Sequence, residues 1–274
     1  MKALLYEVSA APKPGLVDRL GPGAHDDMDY FTFVDSTLAL QETFYECAEA
    51  GVNFKGENPT ELLEALRPIG ILGEEKMLQA TDGVNTHKGA IFSLGILCAA
   101  AGRLISESSN AHALCEYVKQ MAFGLTKELN TTVRGEALTS GERLYKSSGI
   151  LGIRGEVEAG FPSVMEFGLP ALQSMSTEGL LDRNEIMIQT LIELMYHVDD
   201  TNVLSRKGVS GLNYVRNQAK KALELGGVYT EEGWYFIVKL DQEFTEKNIS
   251  PGGTADMLAV TLMLHFLSSG GRLC

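Results

Sequence analysis

Apolar residues recur along this chain at spacings of three and four, and the alternation typical of a half-buried strand is nearly absent. Polar capping residues precede several of these segments, with Asn58 before Pro59 and Asp182 ahead of Glu185. The pattern predicts helices over 29–50, 59–67, 74–80, 89–105, 111–129, 182–198, 212–225, 230–247 and 254–267. It therefore predicts an all-α protein of roughly ten or more helices.

The segment 89–105 is apolar on nearly all sides, which is typical of a helix at the centre of a protein. We expect a buried helical hairpin there. No run of Ser, Gly, Pro or like charge separates two cores, so the sequence predicts one catalytic domain over residues 1–274. The most apolar stretch, 89–102, is too short to span a bilayer, and the N-terminal residues lack the apolar core of a signal peptide. We therefore expect a cytoplasmic protein.

The chain carries 36 acidic and 23 basic residues, giving a formal net charge of −13. This excess argues against nucleic acid and against an anionic membrane as partners. It also means that a phosphate ligand would need local cations, helix N-termini or a divalent metal ion. The cysteines Cys47, Cys98, Cys115 and Cys274 show no metal-binding spacing, and we expect them to be reduced thiols.

The first polar loop contains two prolines and several glycines together with Lys13 and Arg19. It ends in the run His25, Asp26, Asp27 and Asp29, just before a predicted helix. Acids at a helix start can act as caps or compensate the helix dipole. Three acids in so short a run repel one another, which favours a bound cation between them.

A second polar loop holds Asn85, His87 and Lys88 directly before the most apolar segment. The start of a helix favours an anion, so this loop is a candidate phosphate site, although an ordinary capped turn would have the same composition. The residue order is not that of a Walker A loop. Arg154 lies between glycines in a third segment, which suggests close approach of a ligand, and the similar 134–136 segment is equally consistent with a structural role.

The fourth and fifth loops pair acids with cations and glycines. Asp199 and Asp200 are expected at a helix end, where paired acids are unfavourable for the dipole and a cation would explain them. Arg206 follows. The fifth loop contains Gly252 and Gly253 in a Gly-rich turn that could hold an anion, while the acid at position 256 is as consistent with dipole compensation as with function.

Taken together, the loops could hold Mg²⁺ on their acids and phosphates on their cations. No Ser-His-Asp order or reactive thiol stands out. Metal-assisted chemistry on a phosphorylated nucleotide fits these residues best.

These segments also match one known family in their order along the chain. The matching stretches are EV…PKPGLVDR (7–19), GAHDDMD (23–29), GVNTHKGAIFSLG (83–95), GIRGE…GFP (152–162), DTN (200–202) and SPGGTADMLA (250–259). The chain resembles triphosphoribosyl-dephospho-coenzyme A synthase, the accessory enzyme of citrate lyase and malonate decarboxylase. The resemblance implies that ATP is joined to the 2′-hydroxyl of 3′-dephospho-CoA with release of adenine. It also implies that a separate transferase then passes the product to an acyl carrier protein.

This resemblance implies roles for the candidate residues. Catalysis is expected from His25, Asp27, Asp29, His87 and Asp200. Substrate contacts are expected from Lys13, Arg19, Asn85, Lys88, Arg154, Arg206, Gly252 and Gly253. The expected Mg²⁺ ligands are Asp27, Asp29, Asp199 and Asp200.

Two alternatives remain open on the sequence. One is a helical Mg²⁺-dependent glycohydrolase that acts on an ADP-ribose-like nucleotide with water as the acceptor. The other is a non-catalytic nucleotide-binding or carrier-protein-binding module, against which the clustered acids argue. The sequence leaves open whether the chain forms a homo-oligomer.

Overall fold

Thirteen α-helices make up most of the computed structural model, which describes residues 1–106, 110–130, 140–270 and 273. They are Lys2–Ser9 (α1), Tyr30–Ala39 (α2), Gln41–Asn53 (α3), Pro59–Ala80 (α4), Lys88–Arg103 (α5), Ala111–Met121 (α6), Ser140–Ser148 (α7), Gly152–Glu158 (α8), Leu169–Glu178 (α9), Arg183–His197 (α10), Thr201–Glu224 (α11), Glu231–Glu246 (α12) and Gly252–Ser268 (α13). A π-helical turn precedes α9, and two short 3₁₀ turns follow α6 and α11. The described residues include no β-strand, and the all-α prediction is confirmed.

The predicted helix caps are present. The Asn58 side chain accepts a hydrogen bond from the amide of Thr60, and Pro59 occupies the first turn of α4. At the start of α10, Asp182 and Glu185 each accept the other's backbone amide, which is the predicted capping box. Caps depend on residues close in sequence, so sequence patterns detect them well.

Two predicted helix boundaries in the first third of the chain were wrong. The segment 29–50 is two helices, because the chain turns at Leu40, whose amide bonds to the carbonyls of Ser36 and Thr37. Pro68 does not end a helix and lies inside α4, which continues to Ala80. Its exposed position lets water take the place of the hydrogen bond that proline cannot donate.

Three later boundaries also differ from prediction. The helix expected from 212 begins at Thr201 and bends at Gly208, whose φ of +66° suits glycine. The helix expected over 111–129 ends at Met121 and is followed by a separate 3₁₀ turn. The last helix begins at Gly252, and Thr254 does not cap it, because its hydroxyl bonds to another helix.

The buried centre consists of α5, α10 and α13, which come from separate parts of the chain. Each of these helices buries about half or more of its residues, and α13 packs against both of the others. The segment predicted to be central is therefore central. Besides α13, α5 packs against α3, α4 and α6, which are close to it in the chain. The buried apolar residues form one cluster with members from Ala3 to Leu273.

The sequence predicts reduced cysteines and no membrane-spanning segment. Cys47, Cys98 and Cys115 are free thiols, and burial raises the pKa of each to about 12, 11 and 12 respectively. Cys274 and the 134–136 segment lie outside the described residues. Among the helices that the structure describes, none combines the length and apolar character needed to cross a membrane.

Candidate active site

The N-terminal loop carries a lysine into the protein interior. Lys13 is only 1% exposed, and its ammonium pairs with the carboxylate of Glu7, a buried residue of α1. The Lys13 amide donates to a carboxylate oxygen of Asp18 at 2.8 Å, which holds the loop backbone in place. A buried ammonium requires a counter-charge, so Lys13 and Glu7 position each other.

The same loop is tied to α12 from the other side. The Gly15 amide donates to Asp241 at 3.0 Å, and burial raises the pKa of Asp241 to about 6. Two backbone amides of the loop, those of Lys13 and Gly15, are thus each held by a carboxylate. This fixed backbone explains how Lys13 is kept beside Glu7.

Asp256 lies where the first turn of α5 meets α13. A Cβ added to Gly89 would come within 2.0 Å of the Asp256 carboxylate oxygen, so only glycine permits this approach. Among the described residues, none forms a hydrogen bond or ion pair with the Asp256 carboxylate. Burial raises its pKa well above the usual range, and the negative charges of Glu7 and Asp200 raise it further.

Asp200 joins the starts of two helices. One oxygen caps α11 by accepting the amides of Asn202 and Val203, and the other accepts the amide and hydroxyl of Thr254 in α13. Asp200 therefore stands at a helix start, and the expectation of an unfavourable helix end was wrong. Burial raises its pKa, while these hydrogen bonds lower it.

We call Glu7, Lys13, Asp200 and Asp256 the buried carboxyl cluster; the first three are buried, and Asp256 is half-buried. The starts of α5, α11 and α13 converge here, and their positive ends favour negative charge. Of the three carboxyl groups, Glu7 is the one that pairs with the Lys13 ammonium. Burial is the largest cause of the raised pKa of each carboxyl group, including Glu7, whose pKa Lys13 partly lowers again. Desolvation therefore favours the protonated form of these carboxyl groups.

His25 lies at the edge of this region, beside the start of α13. Its Nε2 lies 2.8 Å from the Ser250 hydroxyl, and its Nδ1 lies 3.6 Å from the exposed carboxylate of Asp27. Burial lowers the pKa of His25, and the positive charge of Arg206 lowers it further. Arg206 also donates to Asn248 at 3.2 Å, so a histidine and an arginine lie together near the Gly-rich turn.

The Gly-rich turn is crowded by protein atoms. A Cβ on Gly252 would come within 2.5 Å of the Asn202 amide nitrogen, and one on Gly253 would come within 3.2 Å of Asp200. These glycines therefore allow α13 to pack closely against the start of α11. Their predicted contact with phosphate stays a prediction.

His87 is buried at the start of α5. Its Nδ1 lies 2.7 Å from the Ser36 hydroxyl, and its ring packs edge-on against Phe33. Its Nε2 has no partner among the described residues. Burial and the nearby Lys13 charge lower the pKa of His87 to about 3, so the ring is neutral at physiological pH.

Several predicted residues lie on the surface, each with a local partner. The Lys88 ammonium bonds to Glu74 at 2.7 Å, and the Lys88 amide donates to Asn85 at 3.2 Å. Arg19 donates to Asn184 at 3.3 Å. Lys88 and Arg19 thus bond to surface residues outside the buried carboxyl cluster. The contact of Lys88 and Arg19 with a substrate stays a prediction.

Arg154 belongs to the third predicted segment. It lies in α8, where its Nη1 is buried without a described partner. The adjoining Gly152 approaches Thr201 so closely that a Cβ would come within 2.5 Å of the threonine methyl group. The third segment is thus next to the start of α11, as the sequence-based grouping of these loops predicts.

The four proposed Mg²⁺ ligands do not form one site. Asp29 caps α2 through Thr32, Asp199 pairs with Arg216 at 2.8 Å, and the oxygens of Asp200 accept four hydrogen bonds. Only Asp27, whose side chain is 57% exposed, lacks comparable contacts. In the part of the chain that the structure describes, no group of three or more His, Cys, Asp or Glu side chains is arranged to hold a metal ion. The residues therefore do not fit a protein-held Mg²⁺, and the metal requirement stays a prediction.

Sequence reasoning missed two members of the cluster. Glu7 lies in a short helix among apolar residues, and a charged residue at such a position is a signal of a buried partner. For Asp256, the sequence was as consistent with compensation of the helix dipole as with a functional role. Its chain neighbours gave no indication that it would lie against Gly89, a contact made by tertiary packing.

The chain was compared with known proteins. Over residues 1–273 it matches the CitG family, described as ATP:dephospho-CoA triphosphoribosyl transferase. The 2-(5''-triphosphoribosyl)-3'-dephosphocoenzyme-A synthase of Klebsiella pneumoniae is 41% identical over 271 residues, which cover 98% of this chain and 89% of the relative. No solved structure matches the chain. The chain therefore belongs to the ATP:dephospho-CoA triphosphoribosyl transferase family.

Proposed function

We propose that this enzyme transfers the triphosphoribosyl group of ATP to the 2′-hydroxyl of 3′-dephospho-CoA and releases adenine. Family membership supports the reaction. The observation that carries the proposal in the structure is the Asp256 carboxyl, which is half-buried, beside two further carboxyl groups and without a hydrogen-bond partner among the described residues. A carboxyl in this state suits chemistry that moves a proton and develops positive charge.

The reaction exchanges one glycosidic bond for another. The bond between ribose C1′ and adenine N9 breaks with its electron pair going to adenine, and a bond forms between C1′ and the 2′-oxygen of dephospho-CoA. The hydroxyl proton must leave as this bond forms, and adenine departs most readily when it gains a proton. Positive charge builds up on the ribose between these events, as in glycoside cleavage.

In this proposal, Asp256 accepts the hydroxyl proton. A carboxylate with a raised pKa is a stronger base than an exposed one, and its negative charge also stabilises the oxocarbenium-like ribose. Lys13 pairs with Glu7 beside it, and Asp200 fixes the helix starts that frame the site. The proton that Asp256 takes from the hydroxyl is proposed to pass to the departing adenine, so protons balance within the site.

The phosphates are proposed to lie toward the start of α13. His25 and Arg206 flank the Gly-rich turn there, and a helix start favours anions. Lys88, Arg154 and Arg19 are the further cations proposed for the phosphate groups. Mg²⁺ is proposed to arrive bound to the ATP phosphates, with Asp27 as the protein carboxylate open to it.

The product is proposed to serve as the prosthetic-group precursor of citrate lyase or malonate decarboxylase. A separate transferase would pass it to an acyl carrier protein. This step lies outside the chemistry of the present chain.

The decisive experiment is chromatography of ATP incubated with the enzyme, with and without 3′-dephospho-CoA. We expect adenine to appear in step with loss of dephospho-CoA and little adenine from ATP alone, since a transferase must keep water from the ribose cation. Rapid adenine release from ATP alone would instead identify a glycohydrolase. Formation of ADP or AMP without adenine would reject both N-glycoside activities.

A further inference from the structure

Three polar side chains lead from the second loop into the core. Thr86 donates its hydroxyl proton to the Ser36 hydroxyl oxygen at 2.7 Å, and Ser36 lies 2.7 Å from Nδ1 of His87. Because the Ser36 oxygen accepts from Thr86, its own proton is directed to His87. Nδ1 of His87 is then an acceptor, and the ring proton resides on Nε2.

The Nε2–H group of His87 has no acceptor. His87 is 3% exposed, and no described residue accepts from Nε2. A buried donor without a partner costs about 1–3 kcal/mol, so its presence calls for an explanation. Two hydroxyl groups hold the ring in the orientation that leaves this donor open, which is the arrangement expected of a site prepared for a ligand.

The location of His87 connects this donor to the buried carboxyl cluster. His87 immediately precedes α5, whose Gly89 contacts Asp256. Lys13 and the chain's N-terminal amino group are the charged groups close enough to affect it, and both are positive. A cationic imidazole is unfavourable in these surroundings, so His87 acts as a neutral group rather than as a proton-donating imidazolium.

We propose that His87 donates a hydrogen bond from Nε2–H to the adenosine part of bound ATP, and that Ser36 is a positioning residue that fixes the tautomer. The acceptor would be a ring nitrogen of adenine or a ribose oxygen. A fixed neutral donor stabilises negative charge on the departing base without giving up its own proton. This inference rests on the proposed use of ATP as substrate.

The test compares ATP binding by calorimetry in the wild type and in His87→Phe, His87→Gln and Ser36→Ala. Phenylalanine keeps a ring but removes the donor, whereas glutamine places an amide N–H near the position of Nε2. We expect about five- to tenfold weaker ATP binding for His87→Phe, from the loss of a neutral hydrogen bond, and largely restored binding for His87→Gln. Ser36→Ala should show a smaller loss. Exposed His112→Gln serves as the matched control and should bind ATP like the wild type.

Binding of inorganic tripolyphosphate locates the acceptor. It should be equal in the wild type and His87→Phe, because the proposed hydrogen bond goes to adenosine. Equal ATP affinity in the wild type and His87→Phe would overturn the proposal, and so would equal weakening for ATP and tripolyphosphate. If His87→Phe does not fold, weak ATP binding by His87→Gln together with wild-type binding by Ser36→Ala would overturn it.

The pH profile separates a neutral donor from an acid. We expect kcat/KM of the wild type and His87→Gln to follow the same curve between pH 5.5 and 9. A limb near pH 6–7 that disappears in His87→Gln would show that His87 donates its proton, and would contradict the proposal. Adenine release by the wild type tests the proposed function separately, because ATP titration requires no turnover.

Discussion

Two groups of acids in this protein contrast sharply. Asp26, Asp27 and Asp29 are neighbours in sequence, lie at the surface and are solvated or used as a helix cap. Glu7 and Asp256 come from opposite ends of the chain, and burial raises the pKa of both. The contrast teaches that acids adjacent in sequence need not perturb one another strongly, because water screens exposed charges. The pKa of a carboxyl group is raised instead where long-range packing removes its water.

The largest effect is expected on removing the only cation of the buried carboxyl cluster. Lys13→Met leaves Glu7 without its counter-charge beside the carboxyl group of Asp256, and breaking a buried pair in this way costs about 3–5 kcal/mol. Denaturant unfolding at pH 8 measures the loss. Both carboxyls have raised pKa values, so the folded state binds protons more readily and the loss should shrink as the pH falls toward 5. A loss that grows on acidification would contradict this electrostatic account.

A large effect on turnover is expected at Asp256. Asp256→Asn removes the proposed base while keeping the shape of the side chain, and general base catalysis contributes about a hundredfold or more. Adenine release under saturating ATP and dephospho-CoA measures the loss. The variant should remain folded, because an amide avoids the cost of ionising a buried carboxyl. Turnover within about threefold of the wild type, a change too small for loss of the base, would remove Asp256 from catalysis.

The histidine beside the cluster should affect stability in the opposite pH direction. The pKa of His87 is about 3 when folded, so the unfolded chain gains a proton at higher pH than the folded chain. Its contribution to stability is therefore present above about pH 6.5 and is lost as the pH falls toward 3. The difference between the wild type and His87→Gln should change by up to about 1.4 kcal/mol per pH unit in this window. Unfolding curves at pH 4, 5, 6 and 7 measure it, and parallel curves would show that the ring is not buried as described.

The smallest effect is expected in the exposed group. Asp27→Asn should lower turnover by no more than about threefold and should raise the Mg²⁺ concentration needed for half-activity only slightly, since an exposed charge contributes little. Exposed Asp35→Asn in α2 is the control and should match the wild type. A hundredfold loss in Asp27→Asn would overturn the proposed division between the two groups of acids, and full activity after chelation of divalent ions would overturn the proposed role of Mg²⁺.

The sequence by itself determined the local and repetitive features of the protein. Helical spacing, the caps at Asn58 and Asp182 and the apolar character of α5 are properties of nearby residues, so they identify the all-α class and the central helix. The sequence also identified the loops that gather at the site, because their motifs match one family over nearly the whole chain. The turn at Leu40 and the uninterrupted helix at Pro68 were not predictable, because packing and exposure decide them.

Only the tertiary structure decided what each acid does. Spacing singled out Asp29 and Asp199, which the fold uses as a helix cap and as a partner of Arg216. It left Asp256 undecided, although the fold places this residue against Gly89, and no described residue forms a hydrogen bond with its carboxylate. The chemical properties of a carboxyl group depend on the water it has lost and the charges it faces, and both are set by residues distant in the chain.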